Sequence, residues 1–167
     1  VSPLDPKRAF RPIGIAVLTV SDSRTPQTDR SGDLLAERIT RAGHVLGERG
    51  LVPDDPYRVR AMVAGWCIRE DLHAILLTGG TGLTGRDGTP EAVRPLFDKK
   101  IPGFGELFRH VSFADIGAST LESRALAGLS NGHYIFCLPG SPNACATAWD
   151  RILEPQLDYR TRPCNLV

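Results

Sequence analysis

Ile13-Gly-Ile-Ala-Val-Leu-Thr-Val20 and Ala74-Ile-Leu-Leu-Thr78 are apolar runs without polar alternation. A strand apolar on both sides must be covered on both, which is what helices do for a parallel sheet. The segments between them fit that plan. After the first run, Ser31 is the expected N-cap of a helix whose Leu34, Leu35, Arg38 and Ile39 fall at helical spacing and which Ala42-Gly43 ends. His44 to Val52 reads as a weaker strand, and Asp54 or Asp55 as the cap of a helix reaching about Asp71. The order βαβαβ predicts parallel pairing with right-handed crossovers.

The second half adds helices from Thr89-Pro90 to about Phe97 and from Gly103 to Val111. A short strand at Ala125 to Leu129, the hairpin turn Asn131-Gly132 and the strand His133 to Leu138 predict an antiparallel edge. A last helix covers about Ala144 to Leu157. The expected fold is α/β, with one domain over residues 13–158. Residues 1–12, carrying Pro3, Pro6 and Pro12, read as an arm free to wander or to lie on a neighbouring subunit, and residues 159–167 as a tail.

At 167 residues and 41% hydrophobic content the chain suits a single packed domain. Lysine plus arginine number 20 against 19 acidic residues, so no general field favours nucleic acid or an anionic membrane, and any anion site must be built locally. No apolar run approaches the ~20 residues of a membrane helix, so a soluble, cytoplasmic protein is expected. The 4 cysteines and 4 histidines show no zinc-ligand spacing.

Local anion chemistry is concentrated in Leu77-Thr-Gly-Gly-Thr-Gly-Leu-Thr-Gly-Arg-Asp-Gly-Thr-Pro90. Gly80 to Gly85 matches the G-x-G-x-x-G dinucleotide pattern, which would suggest a nicotinamide oxidoreductase. The context opposes it, because that pattern opens a helix directly after the first strand, whereas helix signals here wait until Thr89-Pro90. Walker A is excluded by the lack of a closing Gly-Lys-Ser/Thr. What remains is a nest: Gly79, Gly80 and Gly82 can aim backbone N–H groups at an oxyanion, with Thr78 and Thr81 as hydroxyl donors. Pro139-Gly140-Ser141-Pro142 follows another strand and opens on the same edge of a parallel sheet. Asp87 and Asp54 put carboxylates beside these anion-friendly loops, which Mg²⁺ would reconcile; each could instead cap a helix. Arg86 could reach a nucleotide, pair with Asp87 or stay in solvent.

Thr78-Gly-Gly-Thr-Gly82 followed by Arg86-Asp-Gly-Thr-Pro90 resembles the MoaB/MogA family of molybdenum cofactor biosynthesis, which includes the G domains of two-domain proteins such as gephyrin. Leu18-Thr-Val-Ser-Asp22, Asp29-Arg-Ser-Gly32, Leu51-Val-Pro-Asp54, Leu121-Glu-Ser-Arg124 and Leu138-Pro-Gly-Ser141 are similar to family motifs in family order, from about Ile13 to Leu157. Pro95-Leu-Phe-Asp98, Gly103-Phe-Gly-Glu106 and Thr161-Arg-Pro-Cys-Asn165 resemble the bacterial MoaB branch. Gly88 departs from the valine many members carry there.

The resemblance implies a three-layer αβα fold with a mostly parallel central sheet, a trimer or a hexamer of two trimers, and transfer of AMP from Mg-ATP to molybdopterin. It implies catalytic, Mg²⁺-binding roles for Asp54 and Asp87 and a pterin-side contact for Ser123. Phosphate contacts fall to Thr78, Gly79, Gly80, Thr81, Gly82, Gly140 and Ser141, with Ser21 and Asp22 facing the same cleft. A noncatalytic molybdopterin carrier or assembly protein of the same pathway is the alternative.

Overall fold

In the computed structural model, which describes residues 3–167, a six-stranded sheet runs in the order β2-β1-β3-β6-β5-β4. The strands are β1 Gly14–Val20, β2 Val45–Val52, β3 Ala74–Thr78, β4 Lys99–Lys100, β5 Leu126–Ser130 and β6 His133–Leu138. β2, β1, β3 and β6 are parallel, and β5 and β4 continue the sheet antiparallel. Asn131 (φ 46°) and Gly132 (φ 79°) make the left-handed turn joining β5 to β6.

Helices cover both faces. Ile15, Val17, Leu76 and Phe136 meet α1 (Arg30–Arg41), α4 (Pro102–Ile116) and α5 (Pro142–Ala148) through Leu35, Ile39, Phe104, Phe108 and Ala148. On the reverse face Ala16, Leu18, Ile75, Leu77 and Ile135 meet α2 (Pro56–Trp66) and α3 (Thr89–Val93) through Val59, Val63, Ala92 and Val93. Consecutive residues of one strand serve opposite faces, which is why these strands show no alternation.

Several boundaries differ from the sequence reading. α1 is capped by Asp29, which accepts from Gly32 N at 2.9 Å; Ser31 lies inside the helix and donates to the Gly140 carbonyl at 2.9 Å. Asp55, accepting from Tyr57 N and Arg58 N, caps α2, which ends at Trp66 rather than near Asp71. Thr89 caps nothing: Gly88 is the N-cap, and the Thr89 hydroxyl donates to the Gly79 carbonyl at 2.8 Å. α4 runs on to Ile116, beyond the expected Val111, and a 3₁₀ stretch, Gly117–Glu122, follows.

The last helix is not continuous, because α5 passes into a π-helical segment, Trp149–Leu153, before Glu154–Gln156. Pro155 has no N–H to return to the preceding turn, and the wider turn accommodates that loss. Over residues 3–12 the arm lies against the chain's own C-terminal segment. Leu4 bridges Thr161, Asp5 N donates to the Arg160 carbonyl, and the buried Asp5 carboxylate accepts from Arg162.

β1 has β2 on one side and β3 on the other, so the chain leaves the first strand's two neighbours in opposite directions. A crevice forms outside the carboxyl ends of the strands at such a reversal. Val20, Thr78 and Leu138 bring their loops to that edge.

Candidate functional site

The loop after β3 turns through two left-handed glycines, Gly79 (φ 100°) and Gly80 (φ 69°). A methyl on Gly79 would sit 2.2 Å from the Val20 carbonyl oxygen, and one on Gly80 2.2 Å from Thr89 Oγ1 and 3.0 Å from Asp54 Oδ2. At Gly82 it would meet Asp87 Oδ2 at 2.6 Å. The two carboxylates therefore rest against the glycine loop in space that side chains would otherwise fill. Gly85 is different: nothing lies within 4 Å of its Cβ position. The third glycine of a dinucleotide fingerprint exists to let a helix pack closely, and here no helix packs there. The loop also follows β3 rather than β1, so the nicotinamide pattern is met in letters only.

The second loop closes on the first. Gly140 approaches so tightly that a Cβ there would lie 3.2 Å from Gly79 Cα. Thr78 holds this junction and is spent doing so: its hydroxyl, in a residue 1% exposed, donates to the Pro139 carbonyl at 3.0 Å and lies 3.2 Å from Cys145 Sγ. That corrects the expectation of Thr78 as a hydroxyl donor to a ligand. Ser141 caps α5 by accepting from Ala144 N.

A cleft of about 780 Å³ opens beside this junction. It brings together Gly79, Gly80, Thr81, Gly82 and Asp87 with Gly140, Ser141 and Ser123. Its far wall is α4 and the 3₁₀ stretch, with Phe108, Ser112, Asp115 and Glu122. Apart from Phe108, that wall lies beyond the Val111 at which the expected helix stops, so it was not legible as part of a site.

Asp54 sits behind the loop, 7% exposed, its Oδ1 accepting only a long 3.3 Å bond from Gly88 N. Burial pushes its pKa above the ordinary carboxylate value, with the Asp87 and Asp22 charges adding to the rise. Asp87 is the reverse case. Thr84 donates to its Oδ2 through the hydroxyl at 2.7 Å and the backbone N–H at 2.9 Å, and the hydroxyl bond is the main cause of its lowered pKa. Asp22 accepts a two-pronged contact from Arg86 (2.9 and 2.8 Å) and the Asp54 N–H at 3.0 Å, which lower its pKa in that order. Arg86 thus pairs with Asp22, not Asp87.

Asp22 and Ser21 lie outside the main cleft, and Ser21 lines a second one, across Gly79 and Gly140 from the first. Its Oγ accepts from Ser23 N and Arg24 N.

Sequence reasoning missed Arg124, although it closes the Leu121-to-Arg124 motif. Its guanidinium donates to the carbonyls of Gly82 (2.9 Å), Thr81 (3.3 Å) and Asp87 (3.0 Å) and pairs with Glu91. Of the loop's N–H groups, that of Gly79 is taken by the Leu138 carbonyl at 3.1 Å and that of Thr84 by Asp87 at 2.9 Å, while those of Gly80 and Thr81 have no hydrogen-bond partner among the described residues. Among the described residues no three His, Cys, Asp or Glu side chains group as metal ligands. Asp54 lines neither cleft, but its carboxylate, buried with one long hydrogen bond, has the free oxygens that a hard divalent cation would take.

Residues 16–159 match the family model "Probable molybdopterin binding domain". The chain is 51% identical over 156 residues to the Molybdenum cofactor biosynthesis protein B of Escherichia coli (strain K12), covering 93% of this chain and 92% of the relative. The chain belongs to the MoaB/MogA family. A crystal structure of Molybdenum cofactor biosynthesis protein B aligns with a TM-score of 0.87 at 40% identity, covering 90% of this chain and 94% of that one. The tungsten cofactor synthesizing protein MoaB from Pyrococcus furiosus aligns at 0.76 and 36% identity, covering 87% and 92%. Membership places the chain in molybdenum cofactor biosynthesis and accounts for the three-layer αβα sheet with its antiparallel edge. No helix of the described residues is long and apolar enough to cross a membrane.

Proposed function

We propose that this chain adenylylates molybdopterin, transferring AMP from Mg-ATP to its terminal phosphate and releasing pyrophosphate. The observation that carries the reading is the convergence of two phosphate-suited loops at Gly79 and Gly140, with Asp54 and Asp87 against the glycine loop. In this reading Gly80, Thr81 and Gly82, with Gly140 and Ser141, hold phosphate oxygens, Gly79, whose N–H is taken by the Leu138 carbonyl, shapes the wall, and Ser123 contacts the pterin side.

A phosphate monoester has a second pKa near ~6 and is already an adequate nucleophile at neutral pH, so the protein need not supply a strong base. Its work is to position the two phosphates and to offset their charge. Asp54 and Asp87 would hold Mg²⁺. When bound, that ion neutralises phosphate charge and screens the two carboxylates from the anions beside them. A homo-oligomer, a trimer or a hexamer of two trimers, completes the proposal.

The test is pyrophosphate release from Mg-ATP with and without molybdopterin, for wild type beside Asp54→Asn and Asp87→Asn. Release that needs molybdopterin and falls at least ~100-fold in either variant supports the enzyme, in line with the loss of an electrostatic transition-state contact. Pterin binding by wild type without pyrophosphate release assigns the chain as a carrier instead.

A further inference from the structure

Two segments of the chain, Pro95-Leu-Phe-Asp98 and Gly103-Phe-Gly-Glu106, have no part in the cleft described above. They meet at the antiparallel edge of the sheet, where β4 stops after Lys100 and α4 begins, and there they line a separate groove of about 660 Å³. Two glycines shape it. A methyl on Gly128 of β5 would lie 2.4 Å from Cγ and 2.5 Å from both Cδ1 and Cδ2 of Phe97, so that ring lies flat on the strand. One on Gly105 would lie 3.0 Å from both Nη1 and Nη2 of Arg109, so the guanidinium lies across the start of α4, where Nη1 donates to the Ala125 carbonyl at 3.1 Å and to the Ser123 carbonyl at 3.4 Å.

The groove is cationic in a chain whose overall charge is only +1. Arg94, Lys100, Arg109 and Arg124 line it beside one carboxylate, that of Glu106. Arg124 is spent on Glu91 and the glycine-loop carbonyls. Arg94 approaches Glu91 at 3.8 Å, beyond hydrogen-bond distance, while Arg109 and the exposed Lys100 form no ion pair among the described residues. Phe97, Ile101, Leu126 and Ala127 supply apolar surface beneath these charges. The larger cleft is the opposite case, with Asp87, Asp115 and Glu122 and no lysine or arginine.

We propose that this groove is a second ligand site, for a small organic phosphate whose body lies along Phe97, Ile101 and Leu126 and whose charge meets Lys100 and Arg109, and that its occupancy is felt in the larger cleft. A phosphate monoester is mostly a dianion at neutral pH, which suits several separate cations better than a single carboxylate does. The apolar surface gives the body of the ligand something to bury, so inorganic phosphate alone would leave part of the site unused.

The coupling rests on the reading of the larger cleft as the pterin site. Ser123 lines both the groove and that cleft. A ligand phosphate that draws the Arg109 guanidinium competes first with its long bond to the Ser123 carbonyl, and Arg124, the next residue, holds the carbonyls of Thr81, Gly82 and Asp87. Filling the groove therefore loosens the cleft wall, and by linkage the two ligands weaken each other equally.

The test is calorimetric titration of phenyl phosphate into wild type, Lys100→Glu and Lys100→Arg, with inorganic phosphate and benzoate as companion probes and hydrogen exchange to locate the bound probe. Lys100 is exposed, so both variants should fold, and thermal melts verify it. Phenyl phosphate is expected to bind about tenfold more tightly than either companion, which lacks the ring or the second charge. Charge reversal at Lys100 should weaken it about 10- to 50-fold, and arginine there should keep it within about threefold. Exchange should slow over residues 94–109 and 123–127 and stay unchanged over 79–82. Saturating phenyl phosphate should weaken molybdopterin binding about threefold or more in wild type and leave it unchanged in Lys100→Glu.

No binding of phenyl phosphate by wild type, equal binding by Lys100→Glu or by either companion probe, or exchange slowed only over residues 79–82 overturns the site. Molybdopterin affinity indifferent to the probe, or weakened as much in Lys100→Glu, where the cause would be competition at the glycine loop, overturns the coupling. If the chain binds no molybdopterin, the reading of the larger cleft falls, while the titration and the exchange pattern still decide what the groove binds.

Discussion

Gly80→Ala tests the glycine loop at its most constrained point. Gly80 sits at φ 69°, where a residue with a Cβ pays roughly 1–2 kcal/mol. The new methyl would lie 2.2 Å from Thr89 Oγ1, so the threonine must withdraw by roughly 1 Å to regain van der Waals distance. Thr89 is 0% exposed, and withdrawal breaks its 2.8 Å bond to the Gly79 carbonyl. Losing a buried hydrogen bond costs about 1–3 kcal/mol.

The sum is about 2–5 kcal/mol, or a drop of roughly 4–20 °C in Tm for a domain of this size. Urea unfolding followed by the fluorescence of the buried Trp66 and Trp149 measures it. Gly85→Ala is the internal control: no neighbour and no positive φ oppose the methyl, so its effect should stay within about 0.5 kcal/mol. Equal costs at the two positions, or a Gly80→Ala protein as stable as wild type, would refute the reading. Either result would mean that the loop is glycine-rich for some reason other than Thr89 and Asp54.

Asp54→Asn should stabilise the unliganded protein by about 0.5–2 kcal/mol at neutral pH while abolishing adenylyl transfer, as at other sites strained for function. A carboxyl whose folded pKa lies above its unfolded one destabilises the fold once ionised. The gain should therefore be present at neutral pH and vanish as pH falls through Asp54's folded pKa and below the ordinary carboxylate value, which urea midpoints across pH would follow. Magnesium-dependent stabilisation by ATP should disappear in the same variant, read as the Tm shift with and without chelator. Arg124→Lys should weaken molybdopterin binding about tenfold, because an ammonium cannot span the Thr81, Gly82 and Asp87 carbonyls together. Hydrogen exchange should then quicken over residues 81–87 and stay unchanged in β1, and exchange unaltered in the loop would count against Arg124 as its brace.

The parallel core was legible because each central strand is apolar on both faces, a constraint that local residues carry by themselves. β3 at Ala74–Thr78 and β6 at His133–Leu138 have the expected ends for that reason, as does the Asn131-Gly132 turn, whose positive φ values depend on residue type. Caps were less legible, since two neighbouring residues can offer the same chemistry. Asp29 rather than Ser31 caps α1 because Arg49 and Thr19, distant in sequence, fix the aspartate. The choice between Asp54 and Asp55 had the same origin, and the outcome matters for function: Asp55 takes the capping bonds, which leaves Asp54 buried with little to satisfy it.

Arg124 and the α4 wall depend on contacts across the fold, which spacing along the chain does not encode. Yet the glycines do encode something more specific than phosphate affinity. Gly80 and Gly82 are the two positions where a side chain would collide with Asp54 or Asp87, and Gly85, which meets neither carboxylate, has open space around it. The first two glycines of the spacing that imitates a dinucleotide fingerprint are thus accounted for by where the acids stand, and the third is not. A loop shaped around two carboxylates is what the proposed metal-assisted chemistry would need, and replacing either glycine should displace an acid before it alters the loop's own reach for an anion.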